Sequence, residues 1–208
     1  FKYSGGIIDA TADYFNGPWF VDVLAKIDIL NVDLNFDTLK PFGYTAKSIS
    51  ADTYGALSSG GYHFILNQSG SGQSYLEPML SLAYTQSNTD NFTSLGTSAK
   101  FGSGETFRGA LGARLGTLMG EKNGVYLDGS IAGQYWEEFT NSTDVEMDTL
   151  GPALTLDDKG RKKGFGEITG MLNLADGDSG WSAFVNGGAK FNSEFTTVEL
   201  KGGVRYQW

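Results

Sequence analysis

The stretch Gly177-Asp178-Ser179-Gly180 has the residue types of a nucleophilic serine motif. Such a serine needs a nearby base to take its proton. The single histidine, His63, lies far away in the sequence within a Gly-rich segment, and Trp181-Ser182 replaces the Gly-Pro expected after the motif. We therefore predict a turn at this position, no catalytic residue and no enzyme activity.

Metal and cofactor chemistry is equally poorly supported. Asp176 and Asp178, like Asp157-Asp158, offer carboxylates, but neither pair has the spaced ligands and terminal Glu of a calcium loop. The chain has no cysteine, and one histidine cannot form a zinc site. The glycines of Gly164-Phe165-Gly166 lack dinucleotide-binding spacing. We predict no metal ion and no cofactor.

Charged residues of both signs recur on the polar sides of alternating segments. A narrow lumen lined by paired charges would satisfy them, because an unpaired buried charge is costly. We predict a lumen charge network formed by Glu77, Arg108, Arg114, Asp128, Glu199 and Arg205.

Composition narrows the function classes. The 208 residues fit one domain, and the net charge of −9 argues against nucleic acid as a partner. Thirty Gly against four Pro, with fourteen Phe, ten Tyr and four Trp, suits curved sheets with aromatic belts. No apolar run is long enough for a transmembrane helix. The mean hydropathy of −0.22 still suits a transmembrane barrel, in which only alternate residues meet lipid.

Period-two alternation recurs from end to end and predicts nine strands. Their predicted ranges are Ile7–Phe15, Phe20–Leu30, Ser50–Leu66, Tyr75–Thr85, Phe107–Leu115, Val125–Glu137, Phe165–Leu174, Trp181–Phe191 and Val198–Trp208. The third is Gly-rich, and its facing stays ambiguous. In the last, Leu200, Val204 and Tyr206 share a face opposite Lys201 and Arg205.

The connections between these strands alternate in length. Short ones at Asn16–Pro18, Asn67–Ser74, Gly120–Gly124 and Asp176–Gly180 alternate with long ones at Asn31–Ile49, Gln86–Glu105 and Asn141–Lys162. Outer-membrane barrels have short periplasmic turns and long extracellular loops. We therefore predict an all-β, transmembrane, antiparallel up-and-down barrel, and a soluble β-sandwich remains the alternative fold.

Three segments carry a resemblance to a known family. They are Tyr75-Leu76-Glu77-Pro78-Met79-Leu80-Ser81-Leu82-Ala83-Tyr84, Phe107-Arg108-Gly109-Ala110-Leu111-Gly112-Ala113-Arg114-Leu115-Gly116 and the terminal Gly203-Val204-Arg205-Tyr206-Gln207-Trp208. With them the whole chain resembles the C-terminal translocator barrel of type V autotransporters of Gram-negative bacteria.

The resemblance implies a twelve-stranded barrel around a lumen helix, with a secreted passenger upstream. It also implies an assembly signal in the last strand, matched here by Lys201, Gly203, Tyr206 and Trp208. The charged lumen residues would then hold or cleave the lumen segment.

Nine predicted strands fall short of the twelve that the resemblance implies. We expect residues 1–208 to be one N-terminally truncated barrel domain that lacks the first strands, the lumen helix and the passenger. The other reading is a ten-stranded barrel with an overlooked strand in Asn31–Ile49.

The predicted function is a translocator that anchors and exports an N-terminal passenger. Its expected partners are the outer-membrane bilayer, the barrel assembly machinery and its own passenger or lumen helix, with the C-terminus periplasmic and the long loops extracellular. The alternative is a small porin or adhesin-like barrel that acts through its extracellular loops.

Overall fold

The structure is a computed structural model of the chain. It describes residues 2–34, 47–70, 72–94, 97–120, 124–142, 144–148, 154–157, 163–176 and 178–207. The predicted extra strand in Asn31–Ile49 falls largely outside these residues. Within them, no helix is long and apolar enough to cross a membrane.

The described chain consists of β-strands joined by turns. In chain order they are β1 (Lys2–Asn16), β2 (Trp19–Leu34), β3 (Lys47–Tyr62), β4 (Phe64–Ser69), β5 (Gly72–Thr89), β6 (Phe92–Ser94), β7 (Thr97–Phe101), β8 (Gly104–Gly120), β9 (Val125–Ser142), β10 (Asp144–Asp148), β11 (Leu154–Asp157), β12 (Gly164–Asp176), β13 (Trp181–Phe191) and β14 (Thr196–Tyr206).

Nine long strands form one antiparallel sheet in the order β1-β2-β3-β5-β8-β9-β12-β13-β14. The short β4 follows β3 after a break at His63 and pairs with the start of β5. Each predicted strand corresponds to one of these nine, with β3 and β4 together matching the third. The predicted all-β, up-and-down antiparallel fold is confirmed, as a half-barrel of nine strands.

Strands β1 and β14 are the two edges of this sheet. Among the described residues, each of them pairs on one side only, β1 with β2 and β14 with β13. An unpaired strand edge presents backbone N–H and C=O groups that need partners wherever water is excluded.

The two ends of the sheet differ in the length of their connections. At one end, which we call the short-turn end, connections of two to four residues join β1 to β2, β4 to β5, β8 to β9 and β12 to β13. Gly17, Gly124 and Gly180 in three of these turns have φ of 59°, 74° and 72°, a region that favours glycine. The opposite end, which we call the long-loop end, holds the three predicted long connections, and one short turn at 192–195.

The sequence missed a second sheet at the long-loop end. Its order is β11-β10-β7-β6, so two of the predicted long loops contain hairpin structure. Residues Phe101 and Val145 pair just beyond the last pairing of β8 with β9, between Glu105 and Ser142. The second sheet therefore continues the β8–β9 ladder beyond the main sheet.

The register gives the main sheet an inner and an outer face. Glu77 and Arg114 are directly opposite on the inner face, as are Asp22 and Ser59. This settles the facing of β3, because Ser59 shares its side with Leu57 and Thr53. On the outer face, Leu80 lies opposite Leu111. Ala183 and Val185, two residues apart on β13, also share this face.

Burial separates the two faces sharply. The described side chains that are buried, Phe20, Ile49, Tyr75, Glu77, Met79, Ser81, Ala83, Ala110, Ala132, Trp136 and Glu138, all point to the inner face. Outer-face side chains are apolar yet exposed: Leu111 is 69% exposed, Ile131 56% and Leu200 77%. Monomeric soluble proteins rarely expose so large an apolar patch.

Aromatic side chains border this apolar outer face at both ends. Trp19 packs edge-to-face on Tyr62 and Trp181 packs on Tyr206, both with ring centroids 4.9 Å apart, near the short-turn end. Phe107 and Phe139 pack at 5.6 Å near the long-loop end. Two aromatic borders around an aliphatic band are typical of transmembrane barrels.

Candidate functional site on the inner face

Glu77 is the centre of the best-connected polar cluster on the inner face. It is 8% exposed, and its Oε2 accepts a hydrogen bond from Arg114 Nη1 at 2.9 Å. Its Oε1 lies 2.8 Å from His63 Nδ1, and His63 Nε2 lies 3.0 Å from Gln73 Nε2. A neutral imidazole that donates from Nδ1 to Glu77 can accept at Nε2 from the Gln73 amide, so one tautomer satisfies both contacts.

Tyr75 extends this cluster to Asp128. The Tyr75 hydroxyl donates to Asp128 Oδ1 at 3.3 Å, and its ring centroid lies 4.6 Å from that of His63. The ring covers Gly116, where an added Cβ would collide with it. A glycine on β8 therefore lets the ring lie flat against the sheet and reach across to β9.

A second cluster surrounds Glu167 on β12. Its Oε2 accepts from Trp136 Nε1 at 2.6 Å, and its Oε1 lies 3.4 Å from Lys190 Nζ. The Arg108 guanidinium carbon lies 5.5 Å from the centroid of the Trp136 ring and 6.0 Å from that of Phe165. Arg108 thus stacks on aromatic rings, an interaction that guanidinium groups make readily.

Hydroxyl and amide groups lie on the inner face near the first cluster. Ser81, 1% exposed, lies with its Oγ 2.8 Å from Ser59 Oγ and accepts from Gln134 Nε2 at 3.1 Å. Small polar side chains leave room on the inner face that larger ones would fill. Their hydrogen bonds satisfy groups that burial would otherwise penalise.

The predicted charge network is divided in space. Glu77 and Arg114 form an ion pair, Asp128 binds Tyr75, and Arg108 stacks on Trp136. Glu199 instead lies on β14, 3.7 Å from Lys201 Nζ, and Arg205 lies opposite Ser182.

The residues matched to the assembly signal lie on both faces of β14. A Cβ on Gly203 would lie 2.5 Å from Phe184 Cε1, so a larger residue there would require the Phe184 ring to move. Tyr206 faces outward and packs on Trp181, whereas Lys201 faces inward. Trp208 lies outside the described residues.

Sequence reasoning missed several members of these clusters. His63 was considered only as a base for Ser179 and as a metal ligand, yet the break between β3 and β4 places it on Glu77. Trp136 and Tyr75 are aromatic residues on a polar face, where counting aromatic side chains as apolar conceals them. Alternation along each strand could have placed both residues on the inner face. Tyr75 lies on the same side of its strand as Glu77, and Trp136 lies on the same side as Asp128.

Ser179 belongs to the turn between β12 and β13. Its hydroxyl donates to Asp176 Oδ2 at 2.5 Å, and the backbone N–H groups of Asp178 and Ser179 donate to Asp176 Oδ1. The hydrogen bond from the Ser179 hydroxyl is the main cause that lowers the pKa of the exposed Asp176 carboxyl, and the two backbone hydrogen bonds lower it further. Among the described residues, no group of three or more potential ligands could hold a metal ion.

The arrangement can bind a polar segment and orient it. The inner face offers paired carboxylates, cations and hydroxyls, and the outer face offers hydrocarbon with aromatic borders. Sheets with this polarity, inside polar and outside apolar, define the class of transmembrane β-barrel proteins.

Residues 2–175 match the family described as Autotransporter beta-domain, and the chain belongs to that family. The family consists of transport domains of the bacterial outer membrane, so membership assigns the chain to that membrane. A search of curated proteins gave no match.

A solved structure of an autotransporter shares this fold. The transport unit of the autotransporter AIDA-I from Escherichia coli superimposes with a TM-score of 0.68 at 15% identity, covering 91% of this chain and 59% of that one. The chain thus spans well under two thirds of that unit. CdiB from Acinetobacter baumannii matches with a TM-score of 0.42 at 11% identity, covering 99% of this chain and 45% of that one.

Proposed function

We propose that this chain is the membrane-embedded part of a translocator that anchors a passenger and exports it to the cell surface. The carrying observation is the division of one sheet into an exposed apolar face and a polar face with ordered ion pairs. Lipid would cover the outer face and remove its apolar side chains from water. The inner face would then surround the segment that connects barrel to passenger.

The inner clusters suit a role in holding that segment. Glu77, Arg114 and His63 are fixed to one another, and Glu167 is fixed by Trp136 and Lys190. Preorganised charges of both signs bind a polar segment without reorganising first. We assign these clusters to binding the lumen segment.

We infer the orientation in the membrane from the difference between the two ends of the sheet. The short-turn end, with the C-terminal end of β14, is assigned to the periplasm, and the long-loop end to the exterior, as in other outer-membrane barrels. Additional strands of the same domain would close the gap between β1 and β14, because lipid leaves no water for their backbone groups. The barrel assembly machinery is the proposed partner of β14.

An export assay tests this proposal. Cells that produce the complete protein are treated with an external protease, and passenger fragments are followed by immunoblot. We expect the passenger to be digested on intact cells, and to stay protected when β14 is deleted. A passenger that remains protected although the barrel is folded in the outer membrane would contradict export.

The second candidate, a small porin or adhesin-like barrel, gains from one observation. Two connections at the long-loop end form the ordered sheet β11-β10-β7-β6, a structure suited to contacts outside the cell. Ion conductance in planar bilayers without passenger export would favour this candidate.

Replacing Tyr206 with Asp is expected to reduce the yield of folded protein in the outer membrane strongly. The change removes the ring that packs on Trp181 and places a charge on the outer face of the proposed assembly strand. Removal of Trp208 should act in the same direction. The measurement is heat-modifiable gel mobility of outer-membrane fractions.

Phe195→Asp is the matched control for this substitution. Phe195 lies in the turn between β13 and β14 and is 42% exposed, against 47% for Tyr206. Like Tyr206, it packs on an aromatic ring: its ring centroid lies 6.0 Å from that of Phe165. Equal yields from the two variants would refute a special role of Tyr206 in assembly.

A further inference from the structure

The outer face carries an apolar groove across β2, β3, β5 and β8, with a volume of about 830 Å³. Sites for small molecules in proteins have volumes of roughly 300–1,000 Å³. Val21, Gly60, Leu80 and Leu111 form one row across these strands, since the register pairs each with the next. The groove therefore follows a continuous line over four strands.

Gly60 creates the depth of this groove. Its neighbours in the row carry large apolar side chains, whereas Gly60 has none, and the row is interrupted there. A Cβ added to Gly60 would lie 3.4 Å from the Phe20 carbonyl oxygen and 3.6 Å from Val21 Cγ2, which are ordinary contacts. The empty space at Gly60 is thus not required by crowding of the backbone.

Aromatic rings border the groove toward the short-turn end. Tyr62 lies between Trp19 and Phe64, with ring centroids at 4.9 and 4.4 Å. Trp and Tyr are enriched where the bilayer meets water, at the level of the lipid headgroups. The groove accordingly runs from the headgroup level into the hydrocarbon.

We propose that this groove binds one acyl chain of a phospholipid in the leaflet nearest the short-turn end. This inference rests on the proposed membrane-embedded function. The groove is continuous with the exposed apolar band, in which Leu80 is 51% and Leu111 69% exposed. Among the described residues that line it, polar side-chain groups are limited to the Ser58 hydroxyl, the Trp19 indole N–H and the Tyr62 hydroxyl, so hydrocarbon fits better than a hydrogen-bonding ligand.

Photo-crosslinking in membranes tests the proposal. The complete protein is assembled into phosphatidylethanolamine and phosphatidylglycerol vesicles that contain a phospholipid with a diazirine in the half of one acyl chain that is nearer the headgroup. After irradiation, lipid adducts are located by peptide mass spectrometry. We expect adducts to be several-fold more frequent at residues 19–21 and 58–64 than at 168–172 on the outer face of β12.

Gly60→Leu supplies the variant that fills the groove. It should remove most of the excess adducts at 19–21 and 58–64. The matched control is Gly170→Leu, also on the outer face, where an added Cβ would lie 3.9 Å from the nearest atom, the Ser130 carbonyl oxygen. This control should leave the adduct pattern unchanged.

Other outcomes separate the competing explanations. Adducts spread evenly over the outer face would overturn the groove site and leave the membrane assignment intact. Adducts at residues 58–64 that appear only when the protein is diluted to one copy per vesicle would assign the groove to a second copy of the chain and overturn lipid binding. Absence of adducts on every outer strand would refute the membrane-embedded function itself. The wild-type pattern decides among these results even if Gly60→Leu fails to fold.

Discussion

Leu111→Arg is expected to destabilise the folded protein in a bilayer by about 2–4 kcal/mol, the range for Arg on the lipid face of a barrel near the midplane. Leu111 lies near the middle of β8, which runs from Gly104 to Gly120, and it is 69% exposed on the outer face. The same substitution at a water-exposed position would change stability by only about 0.5 kcal/mol in either direction. The size of the effect therefore distinguishes lipid from water at this face.

Denaturant titration of the protein folded in lipid vesicles measures this difference. Thr169→Arg is the control, because Thr169 is a half-buried residue of the inner face of β12. Lumen-facing substitutions do not place the charge in lipid. A value for Leu111→Arg as small as that for Thr169→Arg would show that lipid does not cover the outer face at Leu111.

Glu77→Gln is expected to destabilise the protein by about 2–3 kcal/mol. Removing one partner of a buried ion pair costs roughly 3–5 kcal/mol, because the other charge loses its compensation. We expect a loss at or just below the lower end of this range, since the Arg114 side chain is 32% exposed and retains some water. The substitution keeps the shape of the side chain, so the effect reports charge.

A double-mutant cycle identifies the cause. The coupling between contacting residues lies at about 0.5–3 kcal/mol, and Glu77→Gln with Arg114→Met should recover part of the loss. Glu199→Gln is the matched control: its partner Lys201 is 3.7 Å away and both side chains are exposed, so about 0–1 kcal/mol is expected. Strictly additive effects at Glu77 and Arg114 would show that the pair contributes no coupling.

The sequence was sufficient to locate the nine long strands, because an apolar face opposite a polar face produces the same alternation wherever one side of a sheet is wet. The sequence did not determine which residues of β3 point inward, because Gly55, Gly60 and Gly61 have no side chain to show which face is apolar. The small sheet was missed because β6, with three residues, is too short to show alternation. The pairing of β7 with β10 joins two different connections, which local patterns do not encode.

The site was predicted in part for a comparable reason. Glu77 and Arg114 were recognisable as inward charges of opposite sign on strands that proved to be neighbours. The position of His63 depends on the irregularity between β3 and β4. The role of Trp136 depends on its hydrogen bond to Glu167, which lies on the neighbouring strand of the sheet. Contacts of this kind depend on register, which alternation alone does not determine.

The strand order has a consequence for folding kinetics. Every pairing in the main sheet joins strands that follow each other along the chain, once β4 and the two long connections that carry β6, β7, β10 and β11 are set aside. Local pairing lowers contact order and the loop-closure entropy of each step, so the sheet can grow one hairpin at a time. The pairing of β7 with β10 is different, because it requires β8 and β9 to be in register first. During folding, the amides of β7 and β10 should therefore become protected from hydrogen exchange after those of β8 and β9. The appearance of protection in β7 and β10 would then mark the moment at which the β8–β9 hairpin is complete.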